Sequence, residues 1–126
     1  MERITEIFVI LENKPSMLGN LCSYLAANEI NIESIGVFHD TAKIYVKNLN
    51  KAVKLLAKEN YITELRDVLL VDLENKPGAL ADLTTKLGDE GINIDYCYGT
   101  LNRKADTVSL ILDVSNIDRA EKILQG

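Results

Sequence analysis

The sequence predicts an α+β fold of two similar half-units in tandem, each a βαββαβ arrangement, the second lacking or shortening its last strand. Three observations predict it: an internal repeat, a switch between strand-like and helix-like hydrophobic periods within each copy, and a composition suited to a folded core. Leu11-Glu12-Asn13-Lys14-Pro15 recurs as Leu73-Glu74-Asn75-Lys76-Pro77, a shift of 62 positions that holds without a gap from Leu11 to Ile32. Eleven of these 22 aligned pairs are identical, which chance does not produce. Self-similarity at a fixed period marks a duplicated supersecondary unit. Hydrophobic residues make up 47% of the 126 positions and charged residues 26%, as in ordinary folded proteins. Half-units of this size bury only about 60% of their unfolded surface, so they are expected to share a core or to pair further. The division expected from the repeat is residues 1–65 and 66–126.

Each element follows from its local pattern. Ile7-Phe8-Val9-Ile10-Leu11 and Val68-Leu69-Leu70-Val71 are continuous apolar runs, the mark of strands buried on both faces. The next helices are expected to open at Pro15 and Pro77, because proline suits a first helical turn. Leu18, Leu21, Cys22 and Leu25 then form one apolar stripe, and Leu80, Leu83, Thr84 and Leu87 its counterpart. Gly91 ends the second of these helices, with Asn28 as the looser stop in the first. The second strand of the second copy is expected to carry Tyr96 and Tyr98 on one face with Ile92 and Ile94, as sheet-face packing. Alternation marks the third strands: Ala42, Ile44 and Val46 in one copy, Val108, Leu110, Leu112 and Val114 in the other. The repeat resumes at Asn50 to Leu56 against Asp118 to Leu124, now shifted by 68. The insertion therefore falls in the second hairpin, at Asn102-Arg103-Lys104-Ala105-Asp106. A strand near Ile62–Leu65 closes the first copy. The second copy has none after its last helix, and the open edge is expected to be short or to exchange a strand with another subunit.

Charge and cysteine content narrow the function. The net charge is −5 and the pI about 4.9. A nucleic-acid binder needs a basic face to displace counterions from phosphates, and here lysines are interspersed with acids. No run approaches the length of a membrane span, and the charged start Met1-Glu2-Arg3 lacks the apolar core of a signal peptide. Two cysteines, Cys22 and Cys97, make no disulfide framework, which fits a cytoplasmic protein with reduced thiols. Cys22 reads as a small core hydrophobe. With one histidine, His39, and no C-x-x-C spacing, neither a metal site nor a nucleophilic centre is expected. No cofactor and no catalytic apparatus are read from this sequence.

Glu-Asn-Lys-Pro-Gly-Ala-Leu followed by Gly-Ile-Asn-Ile resembles the ACT domain family, and the likeness covers essentially the whole chain as two copies. That resemblance implies two ferredoxin-like βαββαβ regulatory modules, free-standing, with no enzyme attached. It also implies an amino-acid ligand held where modules meet, under the loop between the first strand and first helix. The implied site is Asn13, Lys14, Pro15, Ser16, Met17 and Leu18 with Asn75, Lys76, Pro77, Gly78, Ala79 and Leu80, joined by Asn31 and Asn93. Elementary chemistry supports the loops independently. A helix N-terminus leaves unpaired N–H groups and a positive dipole end, which together attract a carboxylate. Asparagine offers a donor and an acceptor, and Gly78 lets a ligand approach the backbone. Ser16 departs from the family's glycine, so the second loop is the stronger ligand candidate.

Plainer readings stand beside these. Asn13 and Asn75 also suit turns, Asn31 and Asn93 also suit exposed strand starts, and Pro15 and Pro77 fix the helix entry. Lys14 and Lys76 are expected to face solvent. The functional expectation is a non-enzymatic regulatory homodimer that binds a small molecule, an amino acid above all, and controls a metabolic enzyme. The alternative is a regulatory subunit that works by protein contact alone, since Asn31-Ile32-Glu33-Ser34-Ile35 also resembles acetolactate synthase small subunits. An acylphosphatase-like hydrolase would need an arginine-bearing loop after the first strand, where both copies carry Asn-Lys-Pro.

Overall fold

A computed structural model describes residues 1–125. It contains β1 (Glu2–Ile10), α1 (Met17–Ala27), β2 (Ser34–Phe38), β3 (Thr41–Tyr45), α2 (Leu49–Lys58), β4 (Thr63–Glu74), α3 (Ala79–Asp89), β5 (Ile94–Asn102), β6 (Thr107–Val114) and α4 (Ile117–Gln125). Contacts divide the chain into two compact units: Thr5–Arg66, and Met1–Ile4 together with the residues from Asp67 on. The first four residues thus group with the second half, and Arg66 with the first.

In the first unit the strand order is β2-β3-β1-β4, with β3 antiparallel to both β1 and β2. Ile7 lies opposite Ile44, and Val9 opposite Ala42. Because side chains alternate along a strand, these four share one face, as the sequence predicts. Leu21 and Leu25 of α1 and Ala52 and Leu56 of α2 close over that face, all without solvent exposure. Replacing such a leucine by alanine costs about 2–5 kcal/mol. The two helices also touch directly, the Tyr24 hydroxyl donating to the Leu55 carbonyl at 2.7 Å. Leu18 departs from the expected stripe: it is 38% exposed, at the edge of the helix face.

In the second unit β6 pairs with both β4 and β5, and β4 lies between β6 and β1. Leu69, Val71, Leu83, Leu87, Leu110, Leu112, Val114 and Ala120 form its core. Leu80, like Leu18, is exposed, at 49%. No strand follows α4 among the described residues. The place beside β4 is instead filled by the first residues of β1, from the same chain. Arg3 fastens that segment, donating to Asp118 and Glu121 at 2.8 Å each and reaching Asp67 at 3.5 Å. These two hydrogen-bonded carboxylates raise the guanidinium pKa further above its already high ordinary value. The open edge expected from the sequence is thus covered by the chain's own N-terminal residues.

Two local expectations change. A register shift falls between Ile94 and Tyr96 of β5: Ile94 lies opposite Val114, but Tyr96 opposite Asp113. Such a bulge inserts one residue and reverses the facing of those beyond it. Ile94 packs on the core, while Tyr96 and Tyr98 lie with Asp113 and Ile111 on the other face, their rings 6.2 Å apart. Strict alternation in the sequence predicts Ile94 on the face of the two tyrosines; the extra residue separates them. The second change concerns the helix starts, which lie at Met17 and Ala79, two residues after the prolines.

Candidate functional site

The segment Glu-Asn-Lys-Pro-Ser/Gly forms the same tight turn in both units. Met17 N–H donates to the Lys14 carbonyl at 3.5 Å, and Ala79 N–H to the Lys76 carbonyl at 3.3 Å. Pro15 and Pro77 thus occupy the second position of a four-residue turn, where their fixed φ is already correct. The third position is left-handed: Ser16 has φ 76° and ψ −14°, Gly78 φ 90° and ψ −18°. That is a type II turn, which favours glycine at this place. The role of Gly78 is therefore first conformational. Space for a Cβ exists there, with nothing within 4 Å, so close approach of a ligand is not what excludes a side chain. Ser16 adopts the same angles with a Cβ, at a cost of roughly 1–2 kcal/mol.

These turns leave the helix N-termini open. The first helical hydrogen bonds are Asn20 N–H to the Ser16 carbonyl, 2.9 Å, and Asp82 N–H to the Gly78 carbonyl, 2.8 Å. Neither Ser16 nor Gly78 supplies a side-chain cap to the amides between. The other two helices differ. Asn48 accepts from Lys51 N–H at 3.2 Å, and Asn116 from Arg119 N–H at 3.1 Å. Each unit thus has one capped helix and one uncapped helix, and the uncapped one follows the repeated loop. Beside the open amides stand Lys14, ion-paired to Glu12 at 2.9 Å, and Lys76, ion-paired to Glu74 at 3.0 Å. The bond to Glu74 raises the Lys76 pKa. Exposed Leu18 and Leu80 add an apolar ledge in the first helical turn. Open amides suit a carboxylate, the Glu carboxylates suit an ammonium, and the leucines suit an apolar side chain.

The asparagines separate into two groups. Asn75 is anchored to the β5–β6 hairpin, its N–H donating to the Asp106 carbonyl at 3.0 Å and its side chain to the Asp106 carboxylate at 3.1 Å. Asn13 is exposed, with no side-chain partner among the described residues. Asn31 lies near the far end of α1, whose eleven residues span about 16 Å, away from its own unit's loop. It donates to Glu33 at 2.8 Å, and Glu33 pairs with Lys47 at 3.2 Å. These residues line an open cleft of about 260 Å³ floored by Ile30 and Val46. Asn93 repeats the bond, donating to Asp95 at 2.8 Å. Within a unit, then, Asn13 to Leu18 and Asn75 to Leu80 each form one cluster, and neither Asn31 nor Asn93 joins its own.

Sequence reasoning missed Glu12, Glu74 and Asp106. The glutamates were legible, since Glu-Asn-Lys occurs twice and a pairing two residues apart could have been tried. Asp106 carried no such signal, because it lies in the inserted hairpin. Among the described residues no group of three or more His, Cys, Asp or Glu side chains could hold a metal ion, and no helix is long and apolar enough to cross a membrane. Desolvation pushes the Cys97 thiol up, away from the thiolate a nucleophile needs.

Comparison with known proteins bears on this arrangement directly. The model of the ACT domain pair matches residues 2–125. No curated protein matches. Among solved structures, a protein from Bacteroides thetaiotaomicron is similar with TM-score 0.91 and 26% identity, over 98% of this chain and 87% of that one. The regulatory subunit of aspartate kinase from Thermus flavus gives TM-score 0.72 and 19% identity, over 99% and 90%. Its Thermus thermophilus counterpart, in ligand-free form, gives 0.67 and 16%, over 99% and 96%. At the last two identities the likeness is one of fold. With two βαββα units, a repeated loop in each and a match spanning both, this chain belongs to the ACT domain pair family.

Proposed function

We propose that this protein is a non-catalytic regulatory module of the cytoplasm that binds a free amino acid and transmits its presence to a metabolic enzyme. The observation that carries the reading is the contrast in capping: α2 and α4 have side-chain caps, whereas α1 and α3 present free amides beside a lysine, a glutamate and a leucine. Uncapped N–H groups with the dipole behind them bind a carboxylate well. The ligand's α-carboxylate sits on the amides of the first helical turn, its ammonium near Glu12 or Glu74, and its side chain against Leu18 or Leu80. The loop at Asn75–Leu80 is the tighter of the two, because Gly78 takes the turn without strain and Asp106 holds Asn75 in place. The chain works as a homodimer, with ligand held where modules of two copies meet. Ligand binding shifts the protein between states only by its differential affinity for them.

A thermal-shift screen across the twenty amino acids tests this, followed by calorimetry on the hits. One or a few amino acids should raise the unfolding midpoint, and Asn75→Ala should weaken their binding at least tenfold. No response to any amino acid removes the reading. Co-purification of an enzyme whose activity the module alters without any amino acid would instead support the protein-contact alternative.

A further inference from the structure

We infer that the exposed face of α2 docks an acidic helix of a partner protein; this rests on the regulatory reading above, which makes that partner the controlled enzyme. Residues Thr41 to Lys58 include five lysines and no acid. Three of the lysines line one side of α2, and a fourth stands just before it. With 3.6 residues per turn, Lys51, Lys54 and Lys58 fall within about 60° of one another, and Lys47 precedes the Asn48 cap. All four are exposed, while Ala52 and Leu56 on the other side of the helix are buried in the core. Lys47 pairs with Glu33 at 3.2 Å. Lys51, Lys54 and Lys58 have no ion pair among the described residues.

Folding alone does not account for this row. Lysines three and four apart on a helix repel one another. Lys51 also lies in the first turn, at the positive end of the helix dipole, where α3 and α4 carry Asp82 and Asp118 instead. The row therefore costs α2 stability, and a facing row of carboxylates recovers it. Acidic residues three and four apart on another helix form such a row, because neighbours at that spacing lie about 5–6 Å apart on either helix. The charge of the chain favours a protein over an extended polyanion. The unit Thr5–Arg66 has seven basic and seven acidic residues; the other has seven and twelve, and so carries the whole net charge of −5. An anionic membrane or a nucleic acid attracts the row but repels that charge. The exposed residues of α2 are Asn50, Lys51, Lys54, Ala57 and Lys58. They include no aromatic, arginine or large apolar side chain of the kinds used for base stacking, phosphate forks and bilayer insertion.

Fluorescence anisotropy with the full chain tests the surface, the probe being a labelled helical peptide with glutamates three and four apart. Its glutamine counterpart and a single-stranded oligonucleotide serve as comparisons, with co-sedimentation on vesicles of equal phosphatidylserine and phosphatidylcholine. Wild type should bind the glutamate peptide, release it in about 1 M salt, and ignore the glutamine peptide. Lys51→Glu/Lys54→Glu should weaken binding at least tenfold, with an unfolding temperature no lower than wild type because the repulsion is relieved. Lys86→Glu/Lys122→Glu changes the net charge equally at exposed positions of α3 and α4, and should bind within twofold of wild type. No binding by wild type, or equal loss in the two double variants, overturns the surface. Tighter binding to the vesicles or the oligonucleotide than to the peptide overturns the protein partner. Amino-acid binding is read separately by calorimetry, so failure of this surface and failure of the regulatory reading are distinguishable.

Discussion

In the first unit the hairpin between β2 and β3 turns over His39 and Asp40, and the loop beneath it touches that turn through Leu11 N–H to the Asp40 carbonyl, 2.8 Å. In the second, strands of nine and eight residues carry the hairpin out to Asp106, which binds the backbone and side chain of Asn75. The loop sequences are nearly the same, but their supports are not. One is held by a single backbone bond and turns through a strained serine; the other is held twice and turns through glycine. Near-identity in sequence between repeats thus does not imply equal rigidity, because rigidity comes from the neighbouring hairpin, where the copies diverge. On the function proposed above, this difference favours the second loop as the binding element, since a preformed site loses less freedom on binding.

The comparison can be broken or sharpened by substitution. The largest effect is expected at Gly99 in the long hairpin, where an added Cβ would lie 2.5 Å from the Leu110 side chain and 2.7 Å from the Ser109 carbonyl. Gly99→Ala should destabilise the protein by about 1–3 kcal/mol in urea unfolding. A neutral result would mean that the long hairpin is less tightly paired than its register implies. Exchanging the turn residues comes next. Ser16→Gly should stabilise by up to about 1 kcal/mol and Gly78→Ser should destabilise by about the same amount, each measured against wild type. Equal signs for the two would show that the turns are not equivalent after all. The smallest effect is expected from Arg3→Ala, which should lower the unfolding temperature slightly in dilute buffer and hardly at all in 1 M salt. Exposed ion pairs are weak and screened by salt. A salt-independent loss would mean that the segment at Met1–Ile4 is held by packing rather than by charge.

Much of the fold was legible because the signals were local. Period-two and period-3.6 patterns placed the strands and helices, and Ala42, Ile44, Val46, Leu110, Leu112 and Val114 are buried as the alternation required. Leu18 and Leu80 misled because helical spacing gives a stripe but not its edge. Tyr96 misled because an inserted residue in β5 leaves no mark in an apolar–polar pattern. At the candidate site, the repeated Asn-Lys-Pro marked the turn that precedes each first helix. It did not show which asparagine would be anchored, since that depends on a partner 31 residues away.

What the sequence determined by itself is the duplication, the α+β order of elements and the turn before each first helix. Each of these follows from residues near one another in the chain, whose backbone preferences act without a distant partner. What only the tertiary structure decided is where Met1–Ile4 belongs, which face Tyr96 and Tyr98 occupy, and which helix ends stay uncapped. Those outcomes depend on strand neighbours and hydrogen-bond partners brought together by folding, and no local preference encodes a partner's identity. The N-terminal residues are the plainest case: Arg3 meets Asp118 and Glu121 across more than a hundred positions of chain, a contact that no period in the sequence announces.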